Sequence, residues 1–261
     1  MIRRRALASI LAVALSAAVG LGCGAGDSTD GTKGASAEAL ARVSAADFAR
    51  GVNLRATDVP YFEPQPDEEK EDPRQRRRQE QELLRCVGVK ESEDSLADVE
   101  SPTYGTQSPG QLLNVASSVE VVLGAEEAAR QMKLFRSRRS ERCLRSVYVS
   151  AVEEEESSTT EVSDASVTRV RFPAPGIEDG FAYRFTATVT VHAPTSQLSA
   201  YRPAAEPNAA RTLKVYVDIL GFAVGPVEVT LTATGIPSPV SRNLERNLLG
   251  VLHQRASQGH P

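Results

Sequence analysis

Phe181-Ala182-Tyr183-Arg184-Phe185-Thr186-Ala187-Thr188-Val189-Thr190-Val191-His192 is the stretch that decides the fold. Its odd positions are mostly apolar, whereas Arg184, Thr186, Thr188, Thr190 and His192 fill even ones. A period of two describes a strand with one face on a core and the other wet. Leu213, Val215, Val217 and Ile219 open a second run, and Val227, Val229 and Leu231, set against Glu228, Thr230 and Thr232, form a third. Between them Gly225-Pro226 suits a tight hairpin, with glycine at the positive φ and proline next. That turn pairs Val224 with Val227 and Phe222 with Val229. It also throws Val217 and Ile219 onto the wrong face, and one extra residue, a β-bulge at Gly221, restores the parity. Gly221 is then a backbone residue and not a ligand contact.

Working outward, residues 115–123 are β-branched and read as a strand. Residues 124–135 follow as a helix, with Ala125, Ala128, Met132 and Phe135 at helical spacing. Residues 143–152 fit two patterns: Val147-Tyr148-Val149 favours a strand, and Leu144, Val147 and Ala151 form a helical stripe. Upstream, 44–50 predicts a short helix stopped by Gly51, and 74–87 predicts a polar helix. Residues 57–73 read as an acidic loop. With Pro102, Gly105, Pro109 and Gly110, residues 90–111 read mainly as loop. Past Gly235, Ser238 is expected to cap a final helix with Pro239 at its first position. Val240, Leu244, Leu248 and Val251 form its stripe, and His253 falls on the opposite, solvent side. Antiparallel strands with helices packed on them make an α+β fold: a twisted antiparallel sheet flanked by helices, one domain over 40–257, with 258–261 a disordered tail.

The chain has 261 residues and a formal charge of −4, with 5% aromatics and no Trp. That balance excludes a collagen, a disulfide-dense miniprotein and a multi-span membrane protein, and it makes nucleic acid an unexpected partner. Arg3, Arg4 and Arg5 precede an apolar stretch that runs to Gly22, so residues 1–22 read as a signal peptide. Gly20-Leu21-Gly22-Cys23 resembles a bacterial lipobox, in which the cysteine is acylated and becomes the new N-terminus. Gly20 stands where such boxes usually carry an aliphatic residue. Ordinary cleavage, leaving Cys23 unmodified, is the other reading. Residues 23–39 then comprise the lipidated Cys23 and a flexible Gly/Ser/Thr/Asp/Ala-rich tether. The expected location is the extracytoplasmic face of the cell membrane, held by the lipid.

With Cys23 assigned to lipid, Cys86 and Cys143 remain as an even pair in an oxidising compartment. They form either a bridge or two separate buried thiols. Their spacing is not that of a zinc or redox motif.

Leu-Leu-Arg-Cys-Val-Gly-Val at 83–89, Ser-Pro-Thr-Tyr at 101–104, Ser-Ser-Val-Glu-Val-Val at 117–122, Ser-Glu-Arg-Cys-Leu at 140–144 and the run from Val215 to Leu231 follow the lipobox and tether in order. This arrangement resembles a group of actinobacterial lipoproteins and extracytoplasmic sensor-type domains related to the LpqN-like and PsbP-like folds. The resemblance implies an antiparallel sheet flanked by helices and a disulfide joining Cys86 to Cys143. It implies no agreed activity.

The chain carries no G-x-S-x-G, H-E-x-x-H, P-loop or dinucleotide fingerprint, and no cofactor or metal is expected. The acidic runs at 67–72 and 153–156 lack the glycine-shaped spacing of a calcium loop and read as solvated surface. The basic runs at 74–78 and 136–139 read as solvated helix faces, the alternative being attraction to anionic lipid heads. The polar face of the sheet is the remaining candidate for ligand contact: Arg184, Thr188, His192, Tyr216 and Asp218. The expected function is that of a non-enzymatic binding or accessory module at the cell envelope. Its partners would be the membrane, through the anchor, and an envelope protein or small apolar ligand. One alternative is a carrier with an apolar cavity lined by Phe181, Phe185 and Met132. Another is a hydrolase, which requires His192 or His253 to meet a Ser, Asp or Glu.

Overall fold

A computed structural model of the chain describes residues 37–65, 73–89, 95–108, 110–154, 160–174, 176–177, 179–191 and 210–259. In chain order its elements are α1 (Ala37–Val52), a 3-10 turn (Ala56–Asp58), β1 (Glu63–Pro64), α2 (Pro73–Val87), β2 (Ser95–Glu100), β3 (Tyr104–Ser108) and β4 (Gln111–Val122). They continue with α3 (Ala125–Phe135), α4 (Arg138–Glu154), β5 (Thr160–Arg169), β6 (Phe181–Val191), β7 (Arg211–Val224), β8 (Val227–Ile236) and α5 (Arg242–Gln258). The fold is α+β, with one open eight-stranded antiparallel sheet in the order β1-β3-β4-β8-β7-β6-β5. β2 and β3 lie end to end beside β4, against its second and first halves. Helices α3 and α4 carry the chain from β4 to the far edge at β5. The last strands then walk back, antiparallel, until β8 lies against β4.

The strand pattern read at 181–191 holds, and β8 follows β7 through a turn with Gly225 at φ 58°. Val224 faces Val227 and Phe222 faces Val229, as expected. The bulge at Gly221 does not exist: pairing runs unbroken through it to both neighbouring strands. The parity conflict has another cause, burial of both sheet faces. Val215, Val217 and Ile219 enter a core built with α2, α3 and α4, whereas Leu220 and Phe222 enter a second core on the other face, built with α1 and α5. The apolar residues of β7 change faces midway because the helical layers cover opposite ends of the sheet. Gly221 has a packing role: it faces Phe181, and a Cβ there would lie 2.4 Å from the Phe181 ring.

Other expectations are corrected. Residues 90–111 contain β2 and β3, and Pro102 falls in the gap between them. Residues 143–152 are helical, because α4 buries Cys143, Leu144, Val147 and Tyr148 along one stripe. α1 runs through Gly51 and starts at Ala37, inside the segment read as tether. Burial of Ala45, Ala49 and Val52 outweighs the roughly 1 kcal/mol that a helical glycine costs. α5 is capped by Ser241, whose side chain accepts from the Leu244 amide, and not by Ser238. Its buried stripe is Glu245, Leu248, Leu249, Leu252 and Ala256, and it extends through Gln258. Residues 1–36, with the signal segment and Cys23, lie outside the described residues, as do His192, 67–72, 155–156 and 260–261.

Polar side chains lock the layers together. Tyr183 Oη on β6 donates to the Phe135 carbonyl, satisfying the end of α3 at 2.6 Å. Ser117 on β4 donates to Asn53 Oδ1 at 2.6 Å and accepts from the Leu54 amide at 2.9 Å. Arg255 on α5 donates to the Asn53 carbonyl and reaches both oxygens of Asp58 at 2.7 and 2.8 Å. A disulfide joins Cys86 on α2 to Cys143 on α4, with the Cα atoms 5.6 Å apart.

Candidate functional site

Alternation along β6 and β7 puts Arg184, Thr188, Tyr216 and Asp218 on one sheet face, next to α5. The register sets Arg184 opposite Asp218, Thr186 opposite Tyr216 and Thr188 opposite Lys214. Arg184 Nε and Nη2 each donate to one Asp218 oxygen at 2.7 Å, a charge-assisted two-point pair that fixes the relative geometry of the two side chains. Asp218 is 1% exposed. Its hydrogen bonds hold the Arg184 guanidinium above its usual range. Helix α5 adds Glu245, fully buried, and Arg242 Nη1, which donates to Glu245 Oε2 at 2.9 Å. Burial, and then the Asp218 carboxylate beside it, pushes the Glu245 carboxyl up to about 8. At neutral pH this group is therefore mainly protonated, and it accepts the Arg242 hydrogen bond as a neutral carboxyl while Asp218 carries the negative charge opposite Arg184.

Beyond α5 the same face opens. The Lys214 ammonium and the Arg184 guanidinium stand 5.7 and 5.9 Å from the centroid of the Tyr216 ring, the range of a cation–π contact. Ser166 and Thr186 share a hydrogen bond at 2.8 Å, and Thr190 and Thr212 share one at 3.2 Å. The outcome for the expected set is divided. Asp218 is closed in by Arg184 and α5 and serves the docking of that helix. Thr188 and Tyr216 remain on a half-open, hydroxyl-rich surface with Lys214.

A second constellation was not foreseen. Asp98, Glu120 and Glu228 face one another in register across β2, β4 and β8, on the opposite sheet face. Glu228 is 7% exposed, and its Oε1 has no hydrogen-bond partner. Burial pushes its carboxyl up to about 9, helped by Glu120, Glu127 and Asp98. Burial likewise lifts Glu120 to about 6, against a hydrogen bond with Ser95 and with Glu127 adding to the rise. Among the described residues no three His, Cys, Asp or Glu are placed to hold a metal ion. In the sequence Glu228 looks like the wet half of an alternating strand, and Asp98 falls in a stretch that reads mainly as loop. Only the pairing register brings them together.

His253 was expected on a solvent face. Its ring instead packs at 5.5 Å on Phe222. Phe181, Phe185 and Met132, expected to line a carrier cavity, belong to one packed core, with Phe135 stacked on Phe181 at 5.2 Å and Tyr148 on Phe185 at 5.1 Å. The chain matches no protein-family model, no curated protein and no solved structure.

Proposed function

We propose that the chain is an exported, membrane-anchored module that acts by binding at the cell envelope, without catalysis of its own. The observation that carries this reading is the Cys86–Cys143 bridge, because such bonds persist in oxidising compartments and are rare in the cytosol. The basic-then-apolar leader and Cys23 agree with it. Among the described residues no helix is long and apolar enough to cross a membrane. The anchor in this reading is the lipid on Cys23, from the lipobox-like Gly20-Leu21-Gly22-Cys23. The binding surface is the half-open face with Thr186, Thr188, Thr190, Lys214 and Tyr216. The arginine–carboxylate network beneath α5 fixes that face as a rigid platform for an envelope protein.

Metabolic labelling with palmitate tests the anchor. Label should enter the wild-type chain and be lost in Cys23→Ser, which should leave the membrane fraction. A photo-crosslinking residue at Thr188 or Tyr216 tests the surface. A discrete adduct from those positions, and none from Glu126 on α3, is expected. Equal labelling from all positions, or from none, would refute the surface assignment.

A further inference from the structure

A cleft of about 490 Å³ opens between α4 and the edge strand β5. Arg142 and Arg145 line it from one turn of α4, together with Ser146 and the apolar Val149. Ser163 and Asp164 line it from β5. Neither guanidinium has an ion-pair partner among the described residues. The β5 wall is irregular. Pairing with β6 shifts between Ser163 and Ser166, and Asp164 has φ 53°. A left-handed residue other than glycine costs roughly 1–2 kcal/mol, and bulges of this kind re-aim a side chain. The volume lies within the range of small-molecule sites.

We propose that this cleft binds a phosphate ester. The Arg142 and Arg145 guanidiniums and the neighbouring serine hydroxyls supply donors to the oxyanion. Asp164 lies on the facing wall and would repel a bare anion, so it requires a donor on the ligand's other end, a hydroxyl or an ammonium. Val149 accommodates the carbon skeleton between them. Two sources carry that chemistry, the headgroup of a membrane phospholipid and a soluble polyol phosphate.

Titration calorimetry on the full chain separates them, using glycerophosphoethanolamine, glycerol 3-phosphate and inorganic phosphate as probes. At least one ester should bind about tenfold tighter than inorganic phosphate, consistent with one added hydrogen bond to a charged group. Arg142→Gln with Arg145→Gln should weaken it by about tenfold or more. Asp164→Asn should erase the preference over inorganic phosphate. A tighter glycerophosphoethanolamine complex assigns the lipid source, and a tighter glycerol phosphate complex the soluble one. Both arginines are exposed, so the double variant should keep the wild-type unfolding transition. Arg145→Lys, which retains charge but not the fork, provides a second variant and should lose several-fold in affinity. No ester binding at millimolar concentration, or affinity unchanged in the arginine variants, would overturn the proposal.

Discussion

Glu228 sits on β8 opposite Glu120, 7% exposed, with one carboxyl oxygen lacking a hydrogen-bond partner among the described residues. The group stays folded by keeping its proton. Its pKa is about 9 in the folded chain, against an ordinary 4.5. Between those values the folded state holds a proton that the unfolded state has released. Stability from this residue is therefore fully present below pH 4.5 and falls by up to about 1.4 kcal/mol per pH unit toward pH 9. Glu228→Gln mimics the protonated form and removes that slope. In urea unfolding the variant should match the wild type near pH 4.5 and exceed it by on the order of 5 kcal/mol at pH 8. Parallel pH profiles for the two proteins would show that Glu228 ionises freely.

Among the elements, α5 is fastened at its start by Arg242 and Glu245 beside the Arg184–Asp218 pair and near its end by Arg255, whereas one disulfide joins α2 to α4. Arg184→Gln leaves Asp218 and Glu245 facing each other under α5 without their main counter-charge. A loss of about 3–5 kcal/mol is expected in chemical unfolding, with local amide exchange rising in α5 first. An effect below about 1 kcal/mol would reduce the pair to a surface contact. The disulfide closes a sequence separation of 57 residues. Its replacement by Cys86→Ala with Cys143→Ala should cost ~4 kcal/mol if chain entropy dominates, read as a lower urea midpoint. Unchanged stability would mean that the helices hold each other without it. The elements that were legible in the sequence are those whose burial is one-sided. β6 alternates cleanly because α5 leaves its polar half open, and α3 shows its stripe because only one face touches the sheet. β7 was misread because it crosses from one core to the other. β2 was missed because its sequence Ser-Leu-Ala-Asp-Val-Glu is short and lies among proline and glycine. The candidate site was half visible. Arg184 and Asp218 follow from strand register, but Glu245 and Arg242 arrive from a helix more than twenty residues later, which no local pattern announces.

For the molecule as a whole, the raised carboxyls point one way. Glu120, Glu245 and Glu228 have values of about 6, 8 and 9. Each makes the folded chain bind more protons than the unfolded chain as pH rises from about 4.5 to its own folded value. Their contributions are lost in turn, Glu120 first and Glu228 last. Urea midpoints should therefore decline steadily from pH 5.5 to 9. A midpoint that is flat or rising over that window would contradict the burial of these three groups. The same architecture, two cores offset across one sheet, leaves opposite halves of its two faces polar. One half holds protonated acid, and the other presents hydroxyls, Tyr216 and Lys214. A binding module needs such a rigid, polar surface, and a membrane anchor would set it close to its partners.

The most direct single measurement is non-reducing peptide mass mapping of the protein recovered from its native membranes. An acylated Cys23 as the first residue and one linked fragment containing Cys86 and Cys143 are expected. A chain that still carries residues 1–22, with both of those thiols free, would contradict the reading of an exported and anchored binding module.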